Sequence, residues 1–523
     1  MSKLNPVRGA ALLCALLLTF TFATPQALVR AQPSSPALHL ESLKALGEPA
    51  TPTLPSINQW TVAHDTQVLF VENRALPMVD VAVSFAAGSL HDGPSPGLAA
   101  MMMHLIKEAP TPKGTHSMDQ LGAELNLGLG KERVTFGLRS LSDPAVLAPA
   151  LQRLANMLAT PDFSETGIAR AQAEVTALSI AELKNPESRA LHHLYNALYP
   201  RQPIAQSIYG SPKTLRRIDT QQLQDFHRRA FTAANAQIAI VGDLTTEQAK
   251  ALSQQIAEAL PTGPALAMLP PIQDRMATSH SVHLEHGIPQ SLLILGQNAL
   301  PIDHPDSLAT RIGHGIFDDM LNAQLREKHS ATYGVISHTF RSNHAAPWVI
   351  SLYTAPHYSA SAAEQVTRLY ARFLEDGPTE DQLTAIKKTL LRSMPQFTAN
   401  NTYTLAELVL LNRFNQPLDF SHKIQRVQTL TREQIKTAMV RHFSADTWVQ
   451  LTLGPTVAQK PLPLAQARDE NTAQSCISSN AAFMPAPLNS WGRHPCCGNL
   501  GTPLYQSPDE NLSVHLSCPC TPL

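Results

Sequence analysis

Thr220–Gly242, TQQLQDFHRRAFTAANAQIAIVG, has a counterpart later in the chain: Arg432–Gly454, REQIKTAMVRHFSADTWVQLTLG. Gln222-Leu223 aligns with Gln434-Ile435, Ala230-Phe231 with His442-Phe443 and Gly242 with Gly454, each pair 212 residues apart without a gap. In each copy an amphipathic helical pattern (Thr220 to Phe231; Arg432 to Phe443) runs into an apolar strand pattern (Gln237 to Val241; Trp448 to Leu453). Upstream, Phe163-Ser164-Glu165 and Pro378-Thr379-Glu380 each open a long helical stretch. A repeat of this period predicts two similar halves.

Working outward, the first half begins with strand patterns at Gln67–Val71 and Met78–Phe85, which read as a hairpin. Helices are expected from Gly97 and from Ser117, then a strand over Arg133–Leu138 and helices over Pro144–Ala159 and Glu165–Leu183. Between the halves, Pro261-Thr262-Gly263-Pro264 through Pro270-Pro271 interrupts both patterns. Adjacent strand pairs with helices grouped after them predict an α+β fold: two homologous domains of antiparallel sheet covered on one face by helices. The expected boundaries are 57–260 and 278–455, with linkers at 32–56 and 261–277.

The composition narrows the function. With 523 residues the chain is long enough for two or three domains. Forty Lys+Arg against 41 Asp+Glu leave a formal net charge of -1 and no basic field for nucleic acid. A mean hydropathy of -0.11 argues against a multi-span membrane protein. Lys3 and Arg8 precede the apolar run Ala10–Ala23, too short to span a bilayer comfortably, and Val29-Arg30-Ala31 offers small residues for cleavage. Residues 1–31 are therefore expected to be a signal peptide and the protein to be exported, into the periplasm if the host is Gram-negative.

Cysteine usage divides the chain. Cys14 lies in the signal, and Cys476, Cys496, Cys497, Cys518 and Cys520 all lie in the last fifty residues. The body between has none, so its own core must hold it and no cysteine nucleophile acts there. Residues 456–523 combine Pro, Ser, Asn, Thr and Gly with little periodicity and are expected to be a disordered tail.

Several polar clusters carry little chemistry. In HSVHLEH, His283 and Glu285 fall on one side of an expected strand and His286 on the other, which suits a solvated strand edge. His192 and His193 on one helix point about 100° apart. Gly128-Leu129-Gly130 lacks the context of a phosphate loop and reads as a turn.

One segment is informative for what it lacks. Leu76-Pro77-Met78-Val79-Asp80-Val81, Ala87-Gly88-Ser89 and Pro96-Gly97-Leu98-Ala99 together resemble the pitrilysin/insulinase family of zinc peptidases, which includes the mitochondrial processing peptidases. In that family the Gly-Leu-Ala turn opens a helix bearing His-x-x-Glu-His, whose histidines bind zinc and whose Glu is the general base. The matching residues here are Ala100-Met101-Met102-Met103-His104: Ala100 stands for the first His, Met103 for the base, and His104 alone is kept. The family's third ligand is a Glu on a later helix. Glu182 stands 78 residues after His104 and Glu174 stands 70, neither at the family's spacing, so both remain open. Catalytic zinc needs about three protein ligands.

A second signature lies in the other half. Leu325-Arg326-Glu327-Lys328-His329-Ser330-Ala331-Thr332-Tyr333-Gly334-Val335 is similar to the family's Arg–Tyr element, with Arg326 and Tyr333 seven residues apart. The resemblance covers about residues 56–455 and implies a clam-like pair of domains. It further implies a non-catalytic subunit that binds no cofactor alone, with zinc expected in a homologous partner subunit. Arg326 and Tyr333 would bind peptide substrate and stabilise the oxyanion in the partner's site, a role typically worth about 10²–10³ in rate. The alternative is a peptide-binding or scaffold protein on the same fold without a catalytic role. An independently active peptidase would require ligands the zinc helix does not offer.

Overall fold

The computed structural model describes residues 55–464, apart from 270–271, 273–278, 343–345 and 395–398. The expected signal peptide, most of the first linker, all six cysteines and residues 465–523 of the expected tail lie outside the described residues. No helix among those described is long and apolar enough to cross a membrane.

The first half runs β1 (Asn58–Val62), β2 (Thr66–Glu72), β3 (Met78–Phe85), α1 (Leu98–Lys107), β4 (Glu124–Leu129), β5 (Val134–Leu141), α2 (Pro144–Ala159), α3 (Glu165–Lys184), α4 (Pro186–Leu198), α5 (Thr220–Ala230), β6 (Ala236–Gly242) and α6 (Thr246–Ala259). The second runs β7 (His280–Glu285), β8 (Ser291–Ala299), α7 (Ser307–Leu321), β9 (Val335–Thr339), β10 (Ala346–Thr354), α8 (Ser359–Asp376), α9 (Glu380–Ser393), α10 (Asn401–Arg413), α11 (Phe420–Thr429), α12 (Arg432–His442) and β11 (Val449–Gly454). The first sheet is ordered β1-β2-β6-β3-β5-β4 and the second β7-β11-β8-β10-β9. Without β1 the two orders superimpose, so the internal repeat is a repeat of topology.

Three details differ from the sequence expectation. The strands β2 and β3 are not hairpin partners, because β6 lies between them, parallel to β2 and antiparallel to β3. The equivalent parallel pair β7–β11 makes the second sheet mixed too. No helix follows Ser117: one turn at Asp119–Leu121 stops at Gly122, whose φ of 62° is left-handed, and the alternating ELNLGL pairs with β5 as a strand.

The third difference concerns the sheet faces, both of which are covered. Val79, Val81, Val83 and Phe85 of β3 point into the helices of their own half. On the opposite face, Leu69, Val71, Ala82, Ala239 and Val241 pack against Leu405, Leu408 and Leu411 of α10, a helix of the second half. Reciprocally, Leu191, Leu194 and Leu198 of α4 cover Leu292, Ile294, Val449, Leu451 and Leu453 of the second sheet. Each half thus lends the other a helix, and each buried leucine contributes about 1.5–3 kcal/mol. Below α10, Arg139 bridges Asp80 (2.7 Å) and the Thr402 hydroxyl (2.7 Å). This exchange explains why β2, β3 and β8 read as nearly continuous apolar runs.

Candidate functional site

The helix α1 is set by its entry turn. Gly97 has φ 99°, and a Cβ there would meet Leu215 Cδ2 at 2.6 Å and Tyr209 O at 2.8 Å. The buried Asp92 carboxylate accepts the Gly97 (2.7 Å) and Ala99 (2.8 Å) N–H groups, satisfying donors that a helix start leaves open. Burial raises its pKa to about 7 against those two bonds.

Downstream, Ala100 is fully buried, Met103 is 5% exposed and His104 is 7% exposed. His104 Nδ1 stands 2.8 Å from Glu174 Oε2 of α3, outside hydrogen-bond alignment, and neither ring nitrogen has an aligned hydrogen-bond partner among the described residues. Burial holds the imidazole pKa below its ordinary value, with the Glu174 carboxylate pulling the other way. Of the two glutamates left open by spacing, Glu174 lies against His104, whereas Glu182 accepts a hydrogen bond from the Ser207 hydroxyl.

One imidazole and one carboxylate do not fit a hydrolytic zinc centre. The other two positions hold a methyl group and a thioether: Ala100 offers no donor, and Met103 cannot take a proton. His104 and Glu174 instead form a polar contact between α1 and α3, with Met101 and Met102 fully buried beside it.

Arg326 and Tyr333 lie in the second half on a turn of unusual construction. The last turn of α7 widens into a π-helical stretch, Asn322–Lys328, which ends at Ser330 with φ 47°. Its return to β9 is pinned at several points. Asn322 accepts the Val335 N–H (3.0 Å) and donates to Val335 O (3.2 Å), imitating a strand partner. Ala331 N–H donates to Leu325 O (2.8 Å), Ala331 O accepts the Thr354 hydroxyl (2.7 Å), and His329 Nδ1 lies 2.7 Å from Pro463 O. While this backbone is fixed, Arg326 is exposed and Tyr333 is 89% exposed. Neither makes a hydrogen bond or ion pair among the described residues, including with His104 or Glu174. The sequence pattern identified Arg326 and Tyr333 but not Asn322, whose role depends on the strand that returns beside it.

The other polar motifs resolve simply. β7 is an edge strand, with His283 Nε2 3.4 Å from Glu285 Oε2 and 3.1 Å from the Thr456 hydroxyl on the exposed side. Gly130 donates to Arg133 O (2.8 Å) in the β4–β5 turn.

A duplicated α/β scaffold whose metal helix has no first histidine and no base defines a peptidase-fold protein lacking the donor set for hydrolytic zinc. Residues 67–212 match the family description Insulinase (Peptidase family M16), and residues 217–390 match Peptidase M16 inactive domain. The solved peptidase M16 inactive domain from Pseudomonas fluorescens superimposes with a TM-score of 0.72 at 33% identity, over 78% of this chain and 100% of that one. The chain belongs to the insulinase, or peptidase M16, family. A Helicobacter pylori relative named non-peptidase homolog YmxG is 23% identical over 392 residues, 72% of this chain and 88% of that protein. Subunit 1 of the mitochondrial cytochrome b-c1 complex of Bos taurus is 22% identical over 257 residues, 47% of this chain and 52% of the subunit.

Proposed function

We propose that this chain is the non-catalytic subunit of an exported, heteromeric M16 peptidase, lending Arg326 and Tyr333 to the site of a zinc-bearing homologous partner. The observation that carries the reading is the Arg–Tyr turn: its backbone is pinned, yet its guanidinium and phenol are exposed with no partner among the described residues. Donors held on a fixed backbone need little reorganisation when a developing oxyanion or a peptide backbone reaches them. The names non-peptidase homolog and complex subunit, carried by two relatives, agree with a member that works through assembly. Zinc and the general base belong to the partner, and the substrate is a peptide. Export, to the periplasm in a Gram-negative host, rests on the first 31 residues.

The test begins with affinity purification of the tagged chain from its host and identification of a stoichiometric partner bearing His-x-x-Glu-His. In the reconstituted pair, Arg326→Ala is expected to lower peptide turnover about 10²-fold while the complex elutes unchanged. Unchanged turnover refutes the donation. A chain that comes down alone and binds unfolded peptides supports the scaffold alternative.

A further inference from the structure

A second polar cluster lies at the opposite end of α7 from the Arg–Tyr turn. His304 and Asp306 sit in the His304-Pro305-Asp306 loop that leads into α7, and His442 is the last residue of α12. One ligand atom from each lies within 4.8 Å of the others, and all three residues are half-buried. His442 Nε2 is 2.8 Å from Asp306 Oδ2, and Arg441 donates to the same oxygen from 3.0 Å. His304 Nδ1 accepts the Asp306 N–H (3.1 Å), and the two imidazoles meet edge to face with centroids 4.9 Å apart. His304 Nε2 and Asp306 Oδ1 have no hydrogen-bond partner among the described residues. An open cleft of about 470 Å³ adjoins the carboxylate, lined by Asp306, Arg426, Glu433 and Arg441 among others.

We propose that His304, Asp306 and His442 bind a divalent cation of the zinc type, bracing the start of α7 against the end of α12. Two imidazoles and one carboxylate supply three protein ligands and leave a position open to water. This mixed N/O set suits zinc and its borderline neighbours, whereas calcium and magnesium take oxygen ligands. When the ion binds through Nε2 of both rings, each neutral imidazole carries its remaining proton on Nδ1. The Asp306 N–H then gives up its bond to His304, which is the local cost of the site. Arg441 stays on the carboxylate as an outer partner that fixes its orientation. The site uses neither His104 nor Glu174 and stands independently of the proposed peptidase role.

The experiment is calorimetric titration of the full chain, tag removed and stripped with a chelator, with ZnCl₂, alongside thermal unfolding with and without the ion. The expected result is one equivalent bound at micromolar affinity with a raised unfolding midpoint. Calcium chloride should give neither effect. His304→Asn and His442→Ala should each weaken binding at least about tenfold, the scale seen when even a supporting residue of a metal site is lost. His104→Ala should leave binding unchanged. Far-UV dichroism in chelator checks that the variants fold, and His304→Asn, in a half-buried loop position, retains the fold if His442→Ala does not. Three results overturn the proposal: no uptake at micromolar zinc, uptake equal in the folded His304→Asn variant, or uptake lost in His104→Ala.

Discussion

Glu132, in the β4–β5 turn, is the first-half anchor of a junction between the halves, and removing its carboxylate tests whether the two unfold as one. Its Oε2 lies 2.9 Å from Arg413 Nη2 at the end of α10, with the side chains 11% and 12% exposed. Its Oε1 accepts the Ser342 hydroxyl, also from the second half. Arg133 next to it is half-buried; burial and the Arg413 charge push its pKa down, and Glu132 pulls it back. Glu132→Ala removes the carboxylate that faces two enclosed guanidinium groups, a change that typically costs about 3–5 kcal/mol. With an unfolding entropy of about 2.1 cal/mol/K per residue over a body of roughly 400 residues, the midpoint should fall by about 4–6 °C. Calorimetry is the assay, since it also counts transitions. The double variant Glu132→Leu, Arg413→Met should lose less than Glu132→Ala, because both charges leave together. A fall below about 1 °C, or two separate transitions of which only one moves, refutes the reasoning.

Three further outcomes follow from residues on the two main helices. Ala100→His adds a donor one turn before His104, the residue that Glu174 lies against. In a His304→Asn, His442→Ala background, the chain should then take up zinc in equilibrium dialysis. The same variant should lose about 1–3 kcal/mol in chelator from overpacking a fully buried site. His314 is stacked 3.8 Å from Trp348, and burial pushes its pKa down to about 3. The unfolded chain takes up this proton near pH 6.5 and the folded chain does not. The histidine therefore costs no stability above pH 6.5 and about 1.4 kcal/mol per pH unit on acidification toward pH 3. Urea unfolding at pH 7 and pH 5 should show His314→Phe losing about 2 kcal/mol less than the parent, and equal losses would refute this. Asn322→Ala removes both bonds to Val335 and should cost about 1–3 kcal/mol, read as faster hydrogen exchange at the Val335 amide.

The parts of this fold that were legible in the sequence are those set by neighbouring residues. Thr431 and Thr379 cap α12 and α9 with capping boxes closed by Gln434 and Gln382, and such starts are visible locally. The repeat revealed two halves because its helix-to-strand unit is contiguous. Long-range facts were not legible. That β6 inserts between β2 and β3, or that Leu405, Leu408 and Leu411 cover a sheet in the other half, is encoded by apolar faces that do not name their partners. The candidate site divides in the same way. Ala100, Met103 and His104 follow from helical spacing, whereas the choice of Glu174 over Glu182 depends on how α3 lies across α1.

The exchanged helices also constrain how the protein is made. The first sheet has all its strands once Gly242 is synthesised, but α10, which covers its second face, is complete only at Arg413, roughly 170 residues later. At translation rates of 5–20 residues per second that interval is about 10–30 s. Throughout it, Leu69, Val71, Ala82, Ala239 and Val241 form an uncovered apolar face if the sheet assembles early. The nascent chain must therefore be kept unfolded or shielded until its second half emerges, and a message truncated between the halves yields an aggregation-prone fragment rather than a working domain.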